Sequence, residues 1–235
     1  MQLKLGQTRH PRKKRQRKRC PKETTGTGGR QKRQPIRRQT PLHITLRLRE
    51  GLPNLRSRKG MQLIMKAFKG AQEKGLRIIH FAVLSNHIHL IVEVANSEIL
   101  YKSMRSLTTR LGIYLRRWAR PSSLRRAQIK KLGLFRGRYH VHILKTAREV
   151  KNALHYVLLN PCKHFKKGPY IDFYTSSFIF KDWKLLIGRD LLYDLNSKEK
   201  KLEHRGLVKE WKSRLSTFLD KANHDLLAKS WRYVS

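Results

Sequence analysis

From residue 41 onward the chain switches between two hydrophobic periods, and the switches define its elements. "LHITLRLR" sets Leu42, Ile44, Leu46 and Leu48 against His43, Thr45, Arg47 and Arg49, the two-residue period of a strand with one buried face. "RKGMQLIMKAFKGAQEKG" instead spaces Met61, Ile64, Met65, Phe68 and Ala71 as a helix does, with Gly75 marking its end. "LRIIHFAVL" returns to a strand, and Ser85-Asn86 turns it into the run "HIHLIVEV". Asn96 or Ser97 can cap a long helix on which Leu100, Met104, Leu107, Leu111, Leu115 and Trp118 form one stripe. "GLFRGRYHVHIL" reads as a fourth strand. "TAREVKNALHYVLLNP" reads as a last core helix, opened by a Thr146/Glu149 capping box and closed by Pro161.

The first six elements form a βαββαβ unit, so the expected fold is α+β, a ferredoxin-like antiparallel sheet with two helices on one face. The last helix is then left to cover the opposite face. Residues 1–40 hold 15 Lys and Arg against one Glu and almost no apolar periodicity, the composition of a disordered basic arm. The expected domain occupies 41–168. A C-terminal extension over 169–235 follows, with a strand in "FIFKDWKLLI" and helix over 197–230.

Charge narrows the function. Lys and Arg number 55 against 15 Asp and Glu, a formal +40, which makes nucleic acid the leading partner. No apolar run is long enough to span a bilayer, so no membrane role is expected. Cys20 and Cys162 form neither a disulfide framework nor a zinc motif, and a cytoplasmic, DNA-associated protein is expected. No aspartate precedes Asp172, and only six glutamates do. A nuclease that clamps two metals needs several converging carboxylates, which the core is too poor in acids to supply.

In a strand starting near His87, His89 shares its side with His87, Ile91 and Glu93, while Ile88, Leu90, Val92 and Val94 take the other. On the last helix Tyr156 and Asn160 are four residues apart and stack on one face. Laid over the imidazoles, that face brings a phenol and an amide oxygen to two ring nitrogens. Two nitrogens and one oxygen make an open three-donor metal site with room for a phosphate oxygen. A tyrosine nucleophile would preserve the bond energy of the cut strand, and it needs no carboxylate-activated water.

"SNHIHLIVEV" resembles the His-hydrophobic-His motif of the HUH single-strand DNA endonucleases. "FRGRYHVHILKTAREVKNALHYVLLNP" resembles the closing strand and tyrosine helix of the IS200-like transposase domain, and most closely its REP-associated tyrosine transposase branch. The resemblance covers roughly residues 40–166. It implies His87, His89 and Asn160 as metal ligands, Tyr156 as nucleophile and Mg²⁺ or Mn²⁺ as cofactor. It further implies cleavage and rejoining of single-stranded or hairpin DNA through a 5′-phosphotyrosine, leaving a free 3′-OH. Relatives work as monomers or as dimers, and the pattern does not choose.

Alternatives stand beside each assignment. "HVH" at His140–His142 is a second His-hydrophobic-His, whose parity groups it with Arg136 and Arg138 on a face read as DNA-contacting. Arg47, Arg49, Arg136, Arg138, His140, Lys151 and Lys163 are the expected DNA contacts. Lys102, Arg105, Arg116 and Arg117 read as a solvated helix face. Tyr101, Tyr114 and Tyr139 are weaker nucleophile candidates. A relaxase or rolling-circle initiator would bring a third His or a second Tyr, and no such helix pattern occurs. The other alternative is a non-catalytic DNA- or RNA-binding protein, because βαββαβ is also an RNA-recognition scaffold.

Overall fold

Strand β1, Pro41–Arg47, buries Leu42, Ile44 and Leu46 and leaves the intervening residues less covered. Helix α1, Arg58–Gln72, starts where the Ser57 side chain accepts from the Gly60 N–H. It buries Met61, Ile64, Phe68 and Ala71 of the stripe that the helical period picks out, and Ala67 besides, while Met65 is only half-buried. Gly75, at φ +89°, ends this stretch in the left-handed region that favours glycine. Strand β2, Arg77–Val83, turns into strand β3, His87–Glu93, which is buried along its whole length. Helix α2, Ser97–Ala119, begins with Asn96, whose Oδ1 accepts from the Ile99 N–H. Ser97 spends its hydroxyl elsewhere, on the Ile36 N–H. Strand β4 is short, His140–Ile143, and helix α3, Ala147–His164, follows it.

The computed structural model describes residues 34–36, 41–119, 133–164, 172–177, 180, 215, 218 and 219, without the side chains of 119 and 161–164. The chain divides into Met1–Gln34, of which Gln34 alone is described, and Pro35–Ser235, which carries every element above. The basic arm, the Lys163 side chain, and most of the expected strand at 178–187 and helix at 197–230 fall outside the described residues.

The four strands form one antiparallel sheet in the order β2-β3-β1-β4, the expected α+β architecture. Leu42, Ile44 and Leu46 stand opposite Val92, Leu90 and Ile88, so apolar residues meet across the ladder on one face. Phe68 of α1 packs edge-on against Phe81 of that same face, ring centroids 5.7 Å apart. Helix α2 lies close against α1: the Ser106 hydroxyl donates to the Gly70 carbonyl at 2.8 Å, and a Cβ at Gly70 would collide with the Arg110 guanidinium. Helix α3 covers the other face, its Tyr156 ring resting on His89 and His43. Among the described residues no helix is long and apolar enough to cross a membrane.

Local expectations need correction at the fourth strand and at Pro161, and two further features were not anticipated. The fourth strand does not run from Gly133. Gly137, at φ +77°, breaks the chain after an isolated Leu48–Phe135 bridge, and regular pairing starts at His140. The parity that linked Arg136 and Arg138 to His140 and His142 therefore does not carry across the break. Pro161 does not end α3, which continues to His164. A proline removes one N–H and so forfeits the bond to the Val157 carbonyl, a loss the last turn tolerates. Strand β2 carries an irregularity between Ile78 and His80, with one more residue than β3 there. Finally, Asp172–Ser177 runs along the outer edge of β2. Val83 N–H donates to the Tyr174 carbonyl at 2.7 Å, and Ser176 N–H donates to the Phe81 carbonyl at 3.0 Å. An edge with open hydrogen-bonding groups is thereby closed. Arg56 fixes this segment with two bonds to the Asp172 carboxylate, at 2.7 and 2.9 Å, and lies over the Tyr174 ring.

Candidate metal and nucleophile site

The face under α3 is where the polar residues of three strands converge. His89 stands opposite Thr45, His87 opposite Arg47, His142 opposite His43 and His140 opposite Thr45. Even spacing within each strand then places His43, Thr45, Arg47, His87, His89, His140 and His142 on one side. The His87 and His89 rings lie 5.0 Å apart between centroids and nearly perpendicular, at 85°. Further along the same face, Ile91 and Glu93 are fully buried, and Glu93 holds Arg77 at 3.3 Å. One end of the face is sealed, and the other end gathers the histidines.

Each of the two motif histidines is oriented through its Nδ1. His87 Nδ1–H donates to the Asn86 side-chain oxygen at 2.8 Å, an acceptor that leaves Nδ1 only the donor role. The lone pair of His87 is then on Nε2. His89 Nδ1 lies 3.1 Å from the Thr45 hydroxyl and 3.2 Å from Nε2 of His43. An imidazole held at Nδ1 presents Nε2 as its ligating nitrogen, the usual arrangement of histidines around a metal.

Tyr156 comes to this face from α3. Its ring stands perpendicular to that of His89, centroids 5.1 Å apart, and edge-on to that of His43 at 5.8 Å. It is 40 % exposed in a helix that buries Val150, Leu154, Val157 and Leu158, so the phenol is open to an incoming molecule. Asn160, one turn later and about 6 Å further along the axis, is only 2 % exposed. Neither its amide nitrogen nor its amide oxygen has a hydrogen-bond partner among the described residues. Such a group costs about 1–3 kcal/mol when left unsatisfied, so an orphaned carboxamide calls for an explanation. Among the described residues no three His, Cys, Asp or Glu side chains come together as a metal cluster. A cation here would draw on two imidazoles and an amide oxygen, a donor set that the buried Asn160 fits.

The expected DNA contacts scatter more. Arg47 is exposed beside His87, and the Arg136 N–H donates to its carbonyl at 2.8 Å, which brings the backbone of the 133–139 segment to the same end. Arg136 and Arg138 are exposed, Arg49 and Lys151 half-buried, and His140 is exposed on the outer strand. Lys151 sits about 7.5 Å along the helix axis from Tyr156. Tyr101 is exposed on α2, on the far side of the sheet from the imidazoles.

Sequence reasoning assigned no role to His43, Thr45 or Asn86. The signal for His43 and Thr45 was present in the alternation of β1, whose polar positions must share a face with His87 and His89 once β1 pairs with β3, and Asn86 is the residue directly before His87 in the turn. His43 is neutral at pH 7: burial first, then the neighbouring His140 and His142, lower its pKa to about 4.

No family model matches the chain, and no curated protein matches it. Among solved structures it is similar to a REP-associated tyrosine transposase bound to a REP hairpin. That likeness has 16 % identity and a TM-score of 0.45, over 57 % of this chain and 73 % of the other.

Proposed function

We propose that the protein is a metal-dependent transposase-type nuclease that cuts and rejoins single-stranded or hairpin DNA through Tyr156. The observation that carries this reading is Asn160: a buried carboxamide with no hydrogen-bond partner among the described residues, one helical turn from an exposed phenol that rests on His89. The paired motif histidines and the "Y…NP" ending support it through their resemblance to the HUH endonucleases.

In this reading His87 Nε2, His89 Nε2 and Asn160 Oδ1 hold Mg²⁺ or Mn²⁺. When bound, the cation offsets charge developing on the phosphate oxygens and favours the ionised phenol. Tyr156 Oη, having lost its proton to solvent, attacks phosphorus and forms a 5′-phosphotyrosine. The P–O3′ bond breaks, and the departing oxygen takes up a proton to become a 3′-OH. A 3′-OH on another strand reverses the step and releases Tyr156. Arg47, Arg136 and Arg138 supply phosphate contacts at the His87 end, which position the strand without reading its sequence.

The test is incubation of the full chain with end-labelled hairpin single strands and Mn²⁺, followed by denaturing gels. A covalent adduct is expected in the wild type and not in Tyr156→Phe. DNA binding without any adduct would make the protein a binding module. An adduct that survives the substitution would move the nucleophile to another tyrosine.

A further inference from the structure

We propose that His43 is a positioning residue that orients both halves of this site, the metal-binding His89 and the nucleophile Tyr156. It rests on the reading of these residues given above. His43 is the one side chain whose ring contacts both His89 and Tyr156 among the described aromatic contacts, at 5.3 and 5.8 Å between centroids. It belongs to neither the His-hydrophobic-His motif nor the tyrosine helix.

Towards His89 the contact is chemical. For Nε2 of His89 to ligate, its hydrogen must sit on Nδ1, and Nδ1–H then needs an acceptor. His43 Nε2 stands 3.2 Å away and can accept in the neutral ring whose hydrogen is on Nδ1. The Thr45 hydroxyl, at 3.1 Å, reaches the same atom, but Thr45 has no aromatic ring to set against Tyr156. Towards Tyr156 the contact is steric and electrostatic. The His43 and His89 rings meet the phenol ring at 63° and 90°, two edge-type contacts that limit the orientations it can take. One imidazole thus ties the donor on β3 to the nucleophile on α3 from a third element, β1.

Three variants of the full chain separate these roles: His43→Phe keeps a ring and removes the acceptor, His43→Gln keeps an acceptor and removes the ring, and Thr45→Val removes the other neighbour of Nδ1. Mn²⁺ binding is followed without DNA by loss of the free-ion electron paramagnetic resonance signal. Adduct formation is followed in single turnovers at saturating Mn²⁺, and thermal melts confirm folding. His43→Phe is expected to weaken Mn²⁺ binding by roughly 10-fold or more, the usual effect of removing a ligand's supporting partner. His43→Gln is expected to bind Mn²⁺ near the wild-type value yet form adduct more slowly. Thr45→Val is expected to slow adduct formation less than His43→Gln does once Mn²⁺ saturates.

Wild-type Mn²⁺ affinity in His43→Phe would overturn the His89 half. A wild-type rate in His43→Gln, or an equal slowing in Thr45→Val, would overturn the Tyr156 half. Wild-type protein that binds Mn²⁺ but forms no adduct would sink the nuclease reading and, with it, the Tyr156 half, while the Mn²⁺ comparison still decides the His89 half. Wild-type protein that binds no Mn²⁺ overturns the metal site and this role together. If His43→Phe does not fold, the Gln and Val variants still decide the Tyr156 half, and His43→Leu takes its place in the Mn²⁺ comparison.

Discussion

On the α1 side of the sheet, Leu42, Ile44, Leu46, Ile88, Leu90 and Val92 are almost fully buried among other apolar side chains. On the α3 side, alternate residues of the same strands are His43, Thr45, Arg47, His87, His89 and Ile91. The two faces share a backbone, a register and a set of hydrogen bonds, so the difference between them lies wholly in side chains. The first face does what a core does: it removes apolar surface from water. The second face spends burial on imidazoles and a carboxamide, groups that contribute little to stability and cost free energy when their partners are missing. His43 and His80, each held well below the ordinary imidazole range chiefly by burial, are also on this side. Polar density under a helix therefore sets this face apart from the core, and it is held at a cost to packing.

The comparison can be broken most decisively on the apolar face. Ile44→Ala or Leu90→Ala should cost about 2–5 kcal/mol in urea denaturation, through lost burial and an unfilled cavity. A loss below 1 kcal/mol would mean that this face is not the core.

Acid should act on the other face. His80 is half-buried, with its Nδ1 on the Ser176 hydroxyl at 3.0 Å and its ring against Phe180, and desolvation lowers its pKa to about 4. The unfolded chain takes up that proton at about 6.5, before the folded one does. The stability is thus fully present above about pH 6.5 and is lost as pH falls towards 4, by up to about 3 kcal/mol. Urea titrations at pH 7, 5.5 and 4.5 should show a flatter dependence in His80→Phe than in the wild type. Equal slopes would remove His80 from the account.

A smaller effect of opposite sign is expected at Asn160. Replacing the orphaned carboxamide with Asn160→Leu should raise stability by about 1–2 kcal/mol, since an unsatisfied buried group is exchanged for an apolar one of similar size. The same change should abolish adduct formation. Lost stability would show that the carboxamide is satisfied in solution. The least effect on folding belongs to exposed Arg47→Ala, within about 0.5 kcal/mol. There the change is in binding: the slope of log affinity against log salt should fall by about one.

The βαββαβ order, the burial of Leu42, Ile44 and Leu46, and the shared side of His87 and His89 were all legible from periodicity. So was the helix that presents Tyr156 and Asn160 one turn apart. The break at Gly137 was harder to see, because "GLFRGRYHVHIL" alternates acceptably throughout, and only a positive φ shows that the chain turns there. Pro161 misled in the other direction, since a proline can be accommodated in a last helical turn at the loss of one bond. The Asp172–Ser177 edge was invisible: its contacts depend on an Arg56–Asp172 pair 116 residues apart in the chain.

What this sequence determined by itself is which residues share a face, because alternation in a strand and 3.6-residue spacing in a helix follow from local stereochemistry. What only the tertiary structure decided is which face meets which. His43 touches His89 across 46 residues of chain, and Tyr156 reaches both from α3, an element later in the chain than either. Strand register and helix docking are set by the sum of many weak contacts over the whole domain, so no short stretch of the chain carries them.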